Sequence, residues 1–192
     1  SEITLVNTLD EIYQIKGKDI ELLDDNLFAY KDSAKLLNDI ASFGKKNNIT
    51  IKLRNGLDLR KKPSKEQLIA LQRNKGVINS LHMAWDDVNN SFIFNNIMRL
   101  KSNVKGIEFV VYMLSGVNVY TEEDLKKDLL GLFYRFFLLF KIGTKLYLAL
   151  FEDDTGEYTN PYWELYKTLK SQYYIMSMSP QQFLKRHLPE NR

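Results

Sequence analysis

The chain has 192 residues, with a 44% apolar and a 12% aromatic share, enough to build a real core and too apolar for a disordered segment. It has no cysteine, which excludes disulfides, thiolate zinc sites and cysteine nucleophiles. Its net charge of +3 is too small to argue for nucleic acid.

No apolar run reaches the roughly 18 residues that a membrane helix needs. The nearest approach, Leu129 to Phe140, is interrupted by Arg135. The opening Ser1-Glu2-Ile3-Thr4-Leu5 lacks the basic and then apolar layout of a signal peptide. Charge is unevenly spread. Residues 1–32 hold eight acids against three lysines, and residues 51–76 hold eight bases against Asp58 and Glu66. An acidic arm and a basic middle invite association, within one molecule or between neighbours. The plainer reading is a pair of solvated faces.

In chain order, residues 1–32 show short apolar clusters (Ile3/Leu5, Ile12/Ile15, Leu22/Leu23) separated by charge and by Gly17. They read as an extended arm that gains order against a partner, or as an edge hairpin through Lys16-Gly17-Lys18. Ser33 is a helix cap, with Leu36, Leu37, Ile40 and Phe43 on one face and Gly44 at the end. Ile49 to Leu53 alternates as a strand, and Asn55-Gly56 marks a tight turn. Ser64 to Gln67 is a capping box that starts a helix bearing Leu68 and Leu71.

Val77 to Trp85 stays apolar and reads as more helix, followed by a helical run from Phe92 to Leu100. Lys105 to Leu114 is predicted helical, with Phe109, Val110, Met113 and Leu114 inward, then a break at Gly116 and a short strand Val117–Tyr120. Thr121 opens another helix with acids near its positive end. Phe136–Phe140 and Leu146–Leu150, flanking Lys141 to Lys145, read as a β-hairpin with both faces covered. Pro161 and Pro180 suit the first positions of two last helices, the former carrying Trp163, Tyr166, Leu169 and Tyr173. The expected fold class is therefore α+β: a helical middle, a C-terminal β-hairpin or small antiparallel sheet, and an extended N-terminal arm. The expected divisions are 1–32, 33–120 and 121–192.

No residue pattern points to catalysis. His82 and Asp86 stand four apart, one face if the segment is helical, but a zinc site would need a further ligand. His187 sits near a helix C-terminus, where a cation is favourable. The acid pairs Asp24/Asp25, Asp86/Asp87, Glu122/Glu123/Asp124 and Glu152/Asp153/Asp154 lie beside turns or helix starts, where acids serve as caps. The last of these is the best magnesium candidate. There is no phosphate-binding glycine motif and no G-x-S-x-G elbow. The basic stretch 52–75, with Arg60-Lys61-Lys62-Pro63, offers phosphate contacts but no aromatic residue for base stacking. The last third crowds aromatic residues, among them Tyr134, Phe136, Phe137, Phe140, Tyr147, Trp163 and Tyr166. Such a surplus belongs either to a rich core or to a protein interface.

Met83-Ala84-Trp85, followed about twenty residues later by Lys105-Gly106, an apolar stretch and Gly116, resembles the tail protein I family, the baseplate wedge subunits of contractile phage tails. In that family an alanine-tryptophan element precedes a lysine-glycine-threonine start, an amphipathic helix and a closing glycine. Here Ile107 replaces the threonine, and the arginine pair before the motif is reduced to Arg99. The resemblance covers residues 80–120. It implies a non-enzymatic virion subunit without cofactor or metal, assembled in a host cytoplasm through contacts with other baseplate proteins. The interface residues expected on this reading are Lys105, Gly106, Trp85, Phe136, Tyr147, Trp163 and Tyr166. The alternative is a small nucleic-acid-binding regulator using residues 52–75.

Overall fold

The computed structural model describes residues 19–22, 26–86, 89–150, 161–169 and 178–187. Among them, five strands form one all-parallel sheet: β1 (Asp19–Leu22), β2 (Thr50–Leu57), β3 (Ile78–Ala84), β4 (Glu108–Ser115) and β5 (Lys145–Leu150). The connecting helices are α1 (Ser33–Asn47), α2 (Lys65–Arg73), α3 (Ser91–Asn103) and α4 (Glu122–Lys141). Two shorter helices follow, α5 (Trp163–Leu169) and α6 (Pro180–His187), and Leu27–Ala29 forms a 3-10 turn.

The spatial order of the strands is their sequence order. Every crossover steps one strand in the same direction, and the right-handed rule for such connections then lays all four connecting helices on one face of the sheet. Consistent with this, α1 packs on α2, α2 on α3, and α4 on β4 and β5. The helix-side residues form the core: Ile51, Leu53, Leu81, Met83, Phe109, Val111, Met113 and Leu146 are buried. The alternate residues lie on the other face, and they are largely polar: Lys52, Arg54, Ser80, His82, Glu108, Tyr112, Lys145 and Tyr147.

The expected α+β class is overturned: this is an α/β protein, and the antiparallel hairpin does not exist. Phe136–Phe140 is the last part of α4, and Leu146–Leu150 is strand β5, parallel to β4. The helical middle fails at two places. Val77 to Trp85 contains β3, and the expected helix after Lys105-Gly106 is β4. In β4 the run Phe109–Leu114 is apolar throughout, as a covered central strand can be, and such a run carries no period that separates strand from helix. In β3 the alternation of Ser80 and His82 with Leu81 and Met83 is the strand signal that the helical reading passed over. Gly106 and Gly116 do punctuate the chain, at φ of 77° and 85°. They bracket a strand. Val117–Tyr120 is not a strand.

Asn55-Gly56 is not a hairpin turn either. It lies within β2, where the register to β3 slips between Leu53 and Leu57. The acidic arm is described only from Asp19, and there it is the edge strand β1. Its acids meet the basic middle inside the molecule. Lys52 lies 3.6 Å from Asp19 and 3.7 Å from Glu21, and Arg54 lies 3.0 Å from Glu21.

The helix starts at Ser64 and Thr121 are where they were expected, but Ser33 is not a cap: it is the first residue of α1, after Asp32, whose side chain makes no capping hydrogen bond. Ser64 Oγ accepts from the Gln67 amide while Gln67 Oε1 accepts from the Ser64 amide. The same Gln67 side chain, nearly buried, donates to Phe28 O and to Ser33 Oγ, tying α2 to the start of α1. Helix α1 runs through Gly44 to Asn47 and ends on Asn48 in the left-handed region, with φ of 55°. Gly44 serves close packing, since a Cβ there would stand 2.5 Å from Val77 Cγ1 and 2.9 Å from Ile49 O. Gly44→Ala is therefore expected to destabilise the fold by about 1–3 kcal/mol, the usual range for overpacking, measurable by urea denaturation. An unchanged midpoint would show that α1 can shift freely on the sheet.

Candidate interaction site

Helix α4 is 20 residues long, about 30 Å. It starts at a capping box: Thr121 Oγ1 accepts from the Asp124 amide, and the Asp124 carboxylate accepts from the Thr121 amide and hydroxyl. These hydrogen bonds hold the Asp124 carboxyl below its ordinary range. Its inner face buries Leu125, Leu129, Leu132, Phe133, Phe136 and Leu139.

Two polar residues fix how the helix is rotated. Arg135 is buried, 2% exposed. Its Nη1 donates to Trp85 O at 2.6 Å and Asp86 O at 3.0 Å, and its Nη2 to Leu114 O at 3.2 Å and Ser115 Oγ at 3.4 Å. A planar guanidinium thus collects the carbonyls at the C-terminal ends of β3 and β4, a fork that lysine cannot reproduce. Asp128, two turns earlier, accepts from the Gly116 amide at 3.1 Å and from the buried Tyr166 hydroxyl of α5. Burial, then the Asp128 charge, pushes the Tyr166 hydroxyl far above its ordinary value, so it remains a donor.

With α4 pinned this way, one stripe faces outward: Glu123, Lys127, Leu130, Tyr134, Phe137 and Lys141 are all exposed. Phe137 is 63% exposed, Tyr134 54% and Leu130 46%. The spacing is four, three, four, three, four, the seam of a heptad repeat. Phe140 flanks it, half-exposed and stacked on Phe136.

The C-terminal ends of the strands, where open α/β sheets bind ligands at a reversal of strand order, have no such reversal here, and Arg135 occupies the β3/β4 end. On the polar face, His82 Nδ1 lies 3.0 Å from the Tyr112 hydroxyl. Ser80 Oγ is buried without a hydrogen-bond partner, so His82 does not activate it. Desolvation, then the nearby Arg54 charge, holds the His82 pKa below its ordinary value.

The residues expected at an interface are scattered. Trp85, Phe136 and Tyr166 are buried; Trp85 stacks on Phe94. Trp163 is half-buried under the Lys167 ammonium, 3.2 Å from the ring centroid. Tyr147 is half-exposed on the polar face beside Tyr112. Lys105 and Gly106 line a cleft of about 400 Å³ at the N-terminal ends of β4 and β5, with Lys101, Glu108 and Lys145. The structure does not bring these seven together. The stripe shares only the helix of Phe136, and its spacing could have revealed it had residues 122–141 been read as one helix.

The His82/Asp86 pair is not on a helix. His82 belongs to β3, and Asp86 Oδ1 accepts from the Leu114 amide. Among the described residues no three histidine or acidic side chains converge on a cation site. The Asp24/Asp25 and Glu152/Asp153/Asp154 groups lie outside the described residues. Three bases of the basic stretch are neutralised from within, Lys52 and Arg54 by β1 and Arg60 by Asp58 at 2.8 Å. No described helix is long and apolar enough to cross a membrane. No protein-family model matches the chain, and no curated protein matches it.

Two outcomes follow for the polar anchors. Arg135→Met leaves buried carbonyls unpaired and should cost about 3–5 kcal/mol of stability, seen as a lower denaturation midpoint; a loss under about 1 kcal/mol would remove Arg135 as the anchor. For His82 the folded pKa is depressed, so the unfolded chain takes up the proton first. Stability is full above about pH 6.5, the unfolded value, and falls as pH drops through the folded value. Urea titrations at about pH 7.5 and 5.5 should show that fall, and His82→Gln should reduce it.

Proposed function

We propose that this chain works by association with other proteins, as a structural subunit of a larger assembly. The exposed aromatic stripe of α4 carries that reading. A pinned, well-packed helix that leaves Leu130, Tyr134 and Phe137 in water forgoes burial that its own fold could have used, and contiguous exposed apolar residues mark interaction sites. Aromatic anchors ringed by charge, here Lys127 and Lys141, are the composition of interface centres.

A contractile phage tail baseplate, in the virion, is the assembly to which the order of Trp85, Lys105, Gly106 and Gly116 points. That order is retained here without the helix the family places between the glycines. The contacts of such a subunit would run through α4 and not through the segment 80–120.

A photoreactive phenylalanine analogue at position 137, introduced in cells that make the protein, tests the reading. Irradiation is expected to give covalent adducts larger than the single chain. No adduct at 137, with the protein folded and expressed, would overturn it.

A further inference from the structure

We propose that the first occupant of the α4 stripe is a second copy of this chain, packed antiparallel about a two-fold axis beside Leu132. This rests on the association reading above and names its partner. The argument is self-complementarity. An isologous contact must match a surface to itself run backwards. With the axis beside Leu132, the six outward residues pair without remainder: Glu123 faces Lys141 of the second copy, Lys127 faces Phe137, and Leu130 faces Tyr134, each pairing occurring twice.

Each pairing is chemically favourable. Glu123 and Lys141 are opposite charges at the two rims, both exposed. Lys127 over Phe137 is a cation on an aromatic face. Leu130 and Tyr134 make the apolar centre, where water is excluded. The seam runs from Glu123 to Lys141, about 27 Å at the helical rise. Centring the axis on Tyr134 instead would set Lys127 against Lys141, and a parallel pairing would set every like charge against itself. The arrangement is thus selected against its nearest competitors by repulsion, as coiled-coil partners are. Heptad spacing over the whole exposed stripe keeps two seams in contact when the helices coil gently left-handed around each other.

One helix pair is a small interface, which places the dimer in roughly the micromolar range. Light scattering across that range should show monomer and dimer in exchange. Lys141→Glu sets acid against acid at both rims and should raise the dimer Kd about tenfold. Glu123→Lys combined with Lys141→Glu restores opposite charges and should return Kd to within about threefold of the parent. Phe137→Asp should leave only monomer.

Orientation is read separately, because the chain has no cysteine of its own. Mixing Glu123→Cys with Lys141→Cys protein under mild oxidation should give the mixed disulfide over either homodimer. Homodimers alone would overturn the antiparallel register, and no rescue by the charge swap would do the same. A chain that stays monomeric at high concentration, yet still gives position-137 adducts with other proteins in cells, would sink self-pairing and leave the association reading standing.

Discussion

One buried cation sets the geometry of this molecule. A guanidinium taken out of water must find acceptors for its donors or it costs several kcal/mol. Arg135 finds them in Trp85 O, Asp86 O, Leu114 O and Ser115 Oγ. Those atoms belong to the places where two neighbouring strands leave the sheet, so the bond set closes the end of the sheet and fixes the angle of α4 in one stroke. Asp128, held by the Gly116 amide and Tyr166, supplies the second point that a rotation needs. Leu125, Leu129, Leu132 and Leu139 then fill the groove over β4 and β5, and the remaining surface of the helix has nowhere to go but outward.

The local chemistry was readable in the residues and the topology was not. Ser64 with Gln67 and Thr121 with Asp124 announce helices because a cap is a short-range bond between a side chain and a backbone amide, complete within four residues. Ile49 to Leu53 announces a strand because Lys52 alternates with apolar neighbours. Phe109 to Leu114 announces nothing: a covered strand and a buried helix are both apolar throughout, and only the strands to either side decide between them. Phe136 to Phe140 misled for the opposite reason. Its aromatic residues suit a strand, but the capping box at Thr121 starts a helix that runs through Gly131 to Lys141, and the tertiary fit overrides propensity. Arg135, read as an interruption in an apolar run, was the residue that the run is built around. Of the stripe, the aromatic surplus was visible and its heptad spacing was hidden by the false hairpin.

The polar face of the sheet balances charge across strands. Parallel sheets normally bury both faces. Here Asp19 and Glu21 meet Lys52 and Arg54 at one side, Glu108 meets Lys145 at the other, and the His82, Tyr112 and Tyr147 rings lie between. Two acids of the N-terminal tract, Asp19 and Glu21, are thus spent on two bases of the middle tract, Lys52 and Arg54, so the oppositely charged tracts meet within the molecule at the β1/β2 pairing.

The strict sequence order of the strands has a kinetic meaning. No later strand has to slip between two earlier ones, so the growing sheet always offers a finished edge to the next segment. Each strand pairs with the one made just before it, one helix crossover away, so no pairing closes a loop longer than a single strand-helix-strand unit. A nascent chain emerging from the ribosome can therefore settle one unit at a time, with the unpaired edge travelling from β1 toward β5 as synthesis proceeds.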